Sequence, residues 1–112
     1  CLATLNGLRA SVGSPALTAA STDQQSCADD MATKSAEGQA ASPLDCAGWA
    51  MTQCPGWPGS PETMIAKCLN QLWNDAEHPE MKQYMSDPQY AELACGFYVD
   101  SQNRVYAVQL FI

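Results

Sequence analysis

Positive charge is scarce in this chain: five Lys and Arg stand against twelve Asp and Glu, a formal net charge of −7. Phosphate backbones and anionic membranes are gripped by clustered cations, so nucleic acid is a poor candidate partner. Long apolar runs are missing as well. None approaches the roughly 20 residues needed to span a bilayer, and no transmembrane segment or signal peptide is read. The chain opens at Cys1 rather than Met, which reads as a processed or trimmed product and makes a missing leader uninformative about compartment. His78 is the single histidine, and no two cysteines stand in a C-x-x-C pair, so a zinc site has few ligands to draw on. Oxygen ligands at short regular spacing around a glycine, the mark of a calcium loop, are absent. No serine or cysteine sits in a recognisable nucleophile motif.

What is present is cysteine. Six of them, Cys1, Cys27, Cys46, Cys54, Cys68 and Cys95, fall in 112 residues, a length that fits one domain over 1–112 with a real core. Disulfides formed in an oxidising compartment are the better reading of that count. Spacing does not choose among the possible pairings, although Cys54 and Cys68 both flank the loop entering one helix and are natural partners.

The strongest pattern lies at the C-terminal end. Cys95, Phe97 and Val99 alternate with Gly96 and Tyr98, and Val105, Ala107, Gln109 and Phe111 alternate with Tyr106, Val108, Leu110 and Ile112. Period two marks strands with distinct faces, and the polar 100–104 stretch between them predicts an antiparallel hairpin. Upstream, Cys1, Leu5, Leu8 and Val12 form a helical stripe ended by Gly13. A second helix is expected from about Thr18 to Ser35, with Ala20, Gln24, Cys27, Met31 and Ser35 inward; so poor an apolar stripe leans on a disulfide at Cys27. Ala36 to Leu44 reads as loop. The run from Cys46 to Cys54 fits a short strand and a helical turn equally, and 54–59, with Pro55, Gly56, Pro58 and Gly59, reads as a sharp turn. Ser60-Pro61-Glu62 is a strong helix start, and Met64, Ile65, Cys68, Leu69, Leu72 and Trp73 give one apolar face up to about Asp75. A short helix is expected beyond, ending near Ser86-Asp87-Pro88.

With these residues placed, the chain resembles the CAP superfamily, the extracellular domain of cysteine-rich secretory proteins, antigen 5 and pathogenesis-related plant proteins. Asn6-x-x-Arg9-x-x-x-Gly13-x-x-x-Leu17 is similar to its first helix and exit. Gly96 followed by Tyr106-x-Val108-Gln109-x-Phe111 is similar to its last two strands, and Trp73 falls where its third helix carries a tryptophan. The resemblance implies an α+β fold, an α-β-α sandwich with helices on both faces of a central, mainly antiparallel, disulfide-stapled sheet. It also implies a cavity in which two histidines and two acids can hold a divalent metal. Here the second histidine's position is Met81, the first histidine's loop, Ala36 to Cys46, has none, the first acid falls near Gln53, and the second near Asp75 or Glu77. A thioether is a poor zinc ligand.

Gln53, Asp75, Glu77, His78 and Met81 are therefore the candidate cavity, with no catalytic residue and no cofactor assigned. The leading expectation is a secreted or cell-surface binding module with a degenerate cavity and an extracellular protein, glycan or lipid as partner. One alternative is a metal-assisted hydrolase using His78 with Asp75 or Glu77. Another is capture of a sterol or fatty acid in an interhelical groove. Trp49, Trp57 and Trp73 suggest an aromatic platform, but Trp73 belongs to a helix core and Trp57, between Gly56 and Pro58, fits the surface as well as the interior. The five methionines read as gap-fillers.

Overall fold

The predicted C-terminal hairpin is the centre of the sheet. In the computed structural model, which describes residues 1–112, β3 (Glu92–Val99) and β4 (Arg104–Phe111) pair antiparallel from Leu93 with Phe111 to Val99 with Val105. Asp100 builds the turn: its Oδ1 accepts from the backbone N–H groups of Gln102 and Arg104, both at 2.9 Å. Asn103 takes a left-handed φ of 59°, which Asn tolerates better than most residues.

The undecided run is a strand. β2 (Ala50–Pro58) pairs antiparallel with the other edge of β4. The stretch expected to be a sharp turn, 54–59, is instead mostly the second half of that strand, with a register shift between Cys54 and Trp57. Pro55 and Gly56, at φ +66°, supply a bulge rather than a reversal, because β4 continues alongside and holds Trp57 and Pro58 in the ladder. A two-residue strand, β1 (Thr18–Ala19), pairs parallel with Glu92 and Leu93 and completes a sheet of order β1-β3-β4-β2.

That strand displaces the start of the second helix. α2 runs Thr22–Ala36, because Ser21 caps it by accepting from the Gln24 N–H at 3.2 Å. α1 (Leu2–Ser11), α3 (Pro61–Trp73, capped by Ser60) and α4 (Pro79–Ser86) fall where the pattern puts them. A 3₁₀ turn, Pro43–Cys46, interrupts the expected loop.

Strand alternation sorts the helices into two layers. Leu93, Val105, Ala107 and Phe111 face Leu5 of α1, Met64, Ile65, Leu69 and Trp73 of α3 and Met85 of α4. Ala94, Val108 and Leu110 face Ala28, Met31 and Ala32 of α2. The result is the α-β-α sandwich, mainly antiparallel, with helices on both faces. Two polar residues of α1 tie its layer to the chain beyond. Asn6 pairs twice with the Leu17 backbone, at 2.8 and 3.0 Å. Buried Arg9 donates to the carbonyls of Pro15, Met85 and Asp87 at 2.8 to 3.1 Å.

Three disulfides close the structure: Cys1–Cys95, Cys27–Cys46 and Cys54–Cys68. Cys27–Cys46 fastens the weakly apolar α2 to the 3₁₀ turn, and Cys54–Cys68 fastens α3 to β2. Cys1–Cys95 spans 94 residues of sequence; restricting so long an unfolded loop is worth about 4.7 kcal/mol in the chain-entropy picture, against about 3 kcal/mol for a loop of about 15 residues.

α2 also serves as a substitute strand. β1 covers only the first part of β3's outer edge, and beyond it the Cys95 N–H donates to Gln25 Oε1 and the Phe97 N–H to Asp29 Oδ1, both at 2.9 Å. The helix comes this close because residue 96 has no side chain: a Cβ there would overlap the backbone of Ala28. Gly96→Ala is predicted to lower unfolding free energy by about 3 kcal/mol or more, since the neighbour is backbone that cannot rotate away. Asp29→Ala, which only removes an acceptor, is predicted to cost about 1–2 kcal/mol. Chemical denaturation of both variants checks the order, and a Gly96→Ala protein as stable as the parent would refute the close contact.

Candidate functional site

The five sequence-derived residues do not converge. β2 alternates like its neighbours, so Ala50 and Cys54 face the layer of α1, α3 and α4 while Met51 packs toward α2. Gln53 shares Met51's side, and its Oε1 accepts from Ser35 of α2 at 3.3 Å. Asp75, Glu77, His78 and Met81 belong to the α3–α4 connection and the start of α4, on the opposite face of the sheet.

Within that connection, Asp75 does local structural work. Its Oδ1 accepts from the Glu77 N–H and its Oδ2 pairs with His78 Nδ1, both at 3.0 Å. The pair holds the loop where α3 ends and Pro79 starts α4. His78 is 59% exposed and Asp75 32% exposed at their side chains, so water competes for both. Glu77 enters this arrangement through its backbone, and Met81 is half-buried in the first turn of α4. Nowhere do three His, Cys, Asp or Glu side chains gather around a metal-sized position. A carboxylate that orients an imidazole is one part of a general base; here the pair has no hydroxyl or thiol nucleophile hydrogen-bonded to it.

The family model for the cysteine-rich secretory proteins matches residues 2–111, nearly the whole chain. The chain belongs to the CAP family. Curated proteins offer no match to it. CAP proteins are typically extracellular and generally non-catalytic. The three disulfides fit a secreted CAP protein, and no helix is long and apolar enough to cross a membrane.

The CAP scaffold of this chain presents a different surface at the end of its sheet. There β2 and β3 begin and β4 ends, and Trp49 stands 73% exposed. Its backbone is anchored. The Trp49 N–H donates to the Phe111 carbonyl at 2.9 Å, and the Gly48 N–H to that of Pro43, also at 2.9 Å. Ala47 is left-handed at φ 57°, and a Cβ on Gly48 would overlap the Leu110 side chain. A hollow of about 350 Å³ lies among Trp49, Gln89, Tyr90 and Ile112. A second, of about 210 Å³, lies among Pro43, Trp49, Ala50, Met51 and Tyr84. Tyr84 is 37% exposed, while Tyr90 packs on Phe111 with ring centroids 5.8 Å apart. Burial, reinforced by the Asp87 carboxylate, pushes the Tyr90 phenol above its ordinary value.

The sequence marks Trp49 only as one of three tryptophans. The structure separates them: Trp73 is buried beneath Lys82, whose Nζ lies 5.2 Å from the ring centroid, and Trp57 is half-buried against the same core. Of the residues that line the hollows with Trp49, Tyr84, Gln89, Tyr90 and Ile112 lie far away in the chain, and no spacing rule joins them to it.

Two carboxylates titrate below the usual range. Asp75 is lowered chiefly by its hydrogen bond with His78, then by the Glu77 N–H; Asp100 is lowered chiefly by the Arg104 backbone N–H. A depressed carboxylate contributes stability that is present above the unfolded value, about 3.9, and is lost as pH falls through the lower folded one. Carboxyl NMR titration is predicted to place both midpoints below about 3.9. His78→Ala should raise that of Asp75 and leave Asp100 unmoved; an unchanged Asp75 midpoint would contradict the pairing.

Proposed function

We propose that this CAP chain is a secreted or cell-surface binding module without catalytic activity. The observation that carries the proposal is the separation of Gln53 from Asp75, Glu77, His78 and Met81 by the thickness of the sheet. Metal-assisted hydrolysis needs ligands that surround one ion and leave it an open position for water. An amide on one face and an exposed imidazole on the other do not meet that requirement. The aromatic surface around Trp49 supports the binding half of the reading, since exposed aromatic side chains on a well-anchored backbone are characteristic of interaction sites.

A second reading, a hydrolase using His78 with Asp75 or Glu77, draws on the 3.0 Å Asp75–His78 contact. It requires activity that rises with the fraction of neutral imidazole and vanishes in His78→Ala. Under the binding-module proposal, calorimetric titration with zinc detects no stoichiometric site of micromolar or tighter affinity. Tight, stoichiometric zinc binding abolished by His78→Ala would overturn the proposal in favour of the metal-assisted alternative.

A further inference from the structure

We propose that Trp49 and the two hollows it separates bind uncharged, β-linked oligosaccharides of glucose-configured sugars. The inference rests on the binding-module reading and names the class of ligand for it.

The shape comes first. Trp49, 73% exposed, lines both a hollow of about 350 Å³ and another of about 210 Å³, so a chain of rings that crosses from one hollow to the other passes the indole. Both hollows are shallow and lined by few side chains. A sterol or fatty acid needs an enclosure that removes most of its hydrocarbon from water, and neither hollow supplies one. A pyranose with equatorial substituents offers a flat C–H face, which lies well on a flat aromatic side chain and leaves its hydroxyls at the rim.

The rim carries the groups those hydroxyls need. The indole N–H of Trp49 and the hydroxyl of Tyr84 are donors on exposed side chains, and Tyr90 lines the first hollow. Beside the first hollow, Gln89 Nε2 donates to Asp87 Oδ2 at 2.8 Å and the Gln89 N–H to Asp87 Oδ1 at 3.0 Å. The Gln89 side-chain carbonyl, not used in these bonds, keeps lone pairs that can accept from a sugar hydroxyl. Charge then narrows the sugar. Neither hollow is lined by Lys or Arg, and the chain carries a net −7, so sulfated, sialylated or uronic-acid glycans are repelled rather than held.

The test is calorimetric titration of the purified protein and its Trp49→Ala and Trp49→Phe variants with cellopentaose and with chitopentaose. A heparin pentasaccharide and a proline-rich decapeptide serve as comparators. At least one of the two neutral sugars is expected to bind saturably at millimolar concentration. Trp49→Ala should weaken it by about tenfold or more, and Trp49→Phe by less, because a smaller aromatic face remains. Trp49 is exposed, so Trp49→Ala should keep the parent's circular dichroism and melting midpoint. Failure of both neutral sugars to bind, equal affinity in Trp49→Ala, or Trp49-dependent binding of the heparin fragment or the peptide in their place overturns the inference. Mass spectrometry of the recovered sugar separates the two proposals: a shortened sugar would refute the non-catalytic reading while leaving the site intact, whereas absence of binding would refute the site alone.

Discussion

The structure depends on the missing side chain at Gly96. With no Cβ in the way, the backbone of α2 lies directly on β3 at Ala28, and two further features follow. Gln25 and Asp29, one helical turn apart, reach the Cys95 and Phe97 N–H groups that β1 is too short to pair. An open sheet edge is thereby closed by side chains instead of another strand. The small residues of α2, which offer little apolar area, gain their stability from close approach, and the Cys27–Cys46 disulfide holds the far side. Ala and Ser in this helix suit the distance at which it packs.

Once α2 covers one face and α1, α3 and α4 cover the other, β4 is enclosed on both. Val105, Ala107, Val108, Gln109, Leu110 and Phe111 are all buried. Gln109 is the cost of that enclosure, and it is met by the Thr52 hydroxyl, which donates to its Oε1 at 2.7 Å. The layer of α1 is closed by Arg9, whose three backbone acceptors join the exit of α1 to the end of α4. The motif residues Asn6, Arg9, Gly96 and Gln109 thus have structural roles in the CAP scaffold.

How much of this was legible follows from the range of each signal. Alternation in 94–99 and 105–111, the Ser60-Pro61 start of α3 and the stripe of α1 are local, and the structure agrees with them. β2 was ambiguous because Cys46 to Cys54 mixes small, aromatic and polar residues, and only the pairing with β4 makes it a strand. The Pro55-Gly56 signal predicts a turn, yet these residues also serve a bulge when a partner strand holds both sides. Two residues of β1 are too few for any pattern. At the site, the family resemblance placed Asp75, Glu77, His78 and Met81 near one another in sequence. The opposite orientation of Gln53 is a matter of strand parity, settled only once β2 had a register.

The proposed binding site lies at the sheet end rather than in a cavity around the α3–α4 connection. Amide and indole NMR shifts recorded during titration with cellopentaose and chitopentaose test it most directly. A neutral sugar is expected to move the Trp49 indole signal and the amides of Ala50, Met51, Tyr84, Gln89 and Ile112, while Gln53, Asp75 and His78 stay still. Shifts centred on Asp75, His78 and Met81, with Trp49 unmoved, would contradict it.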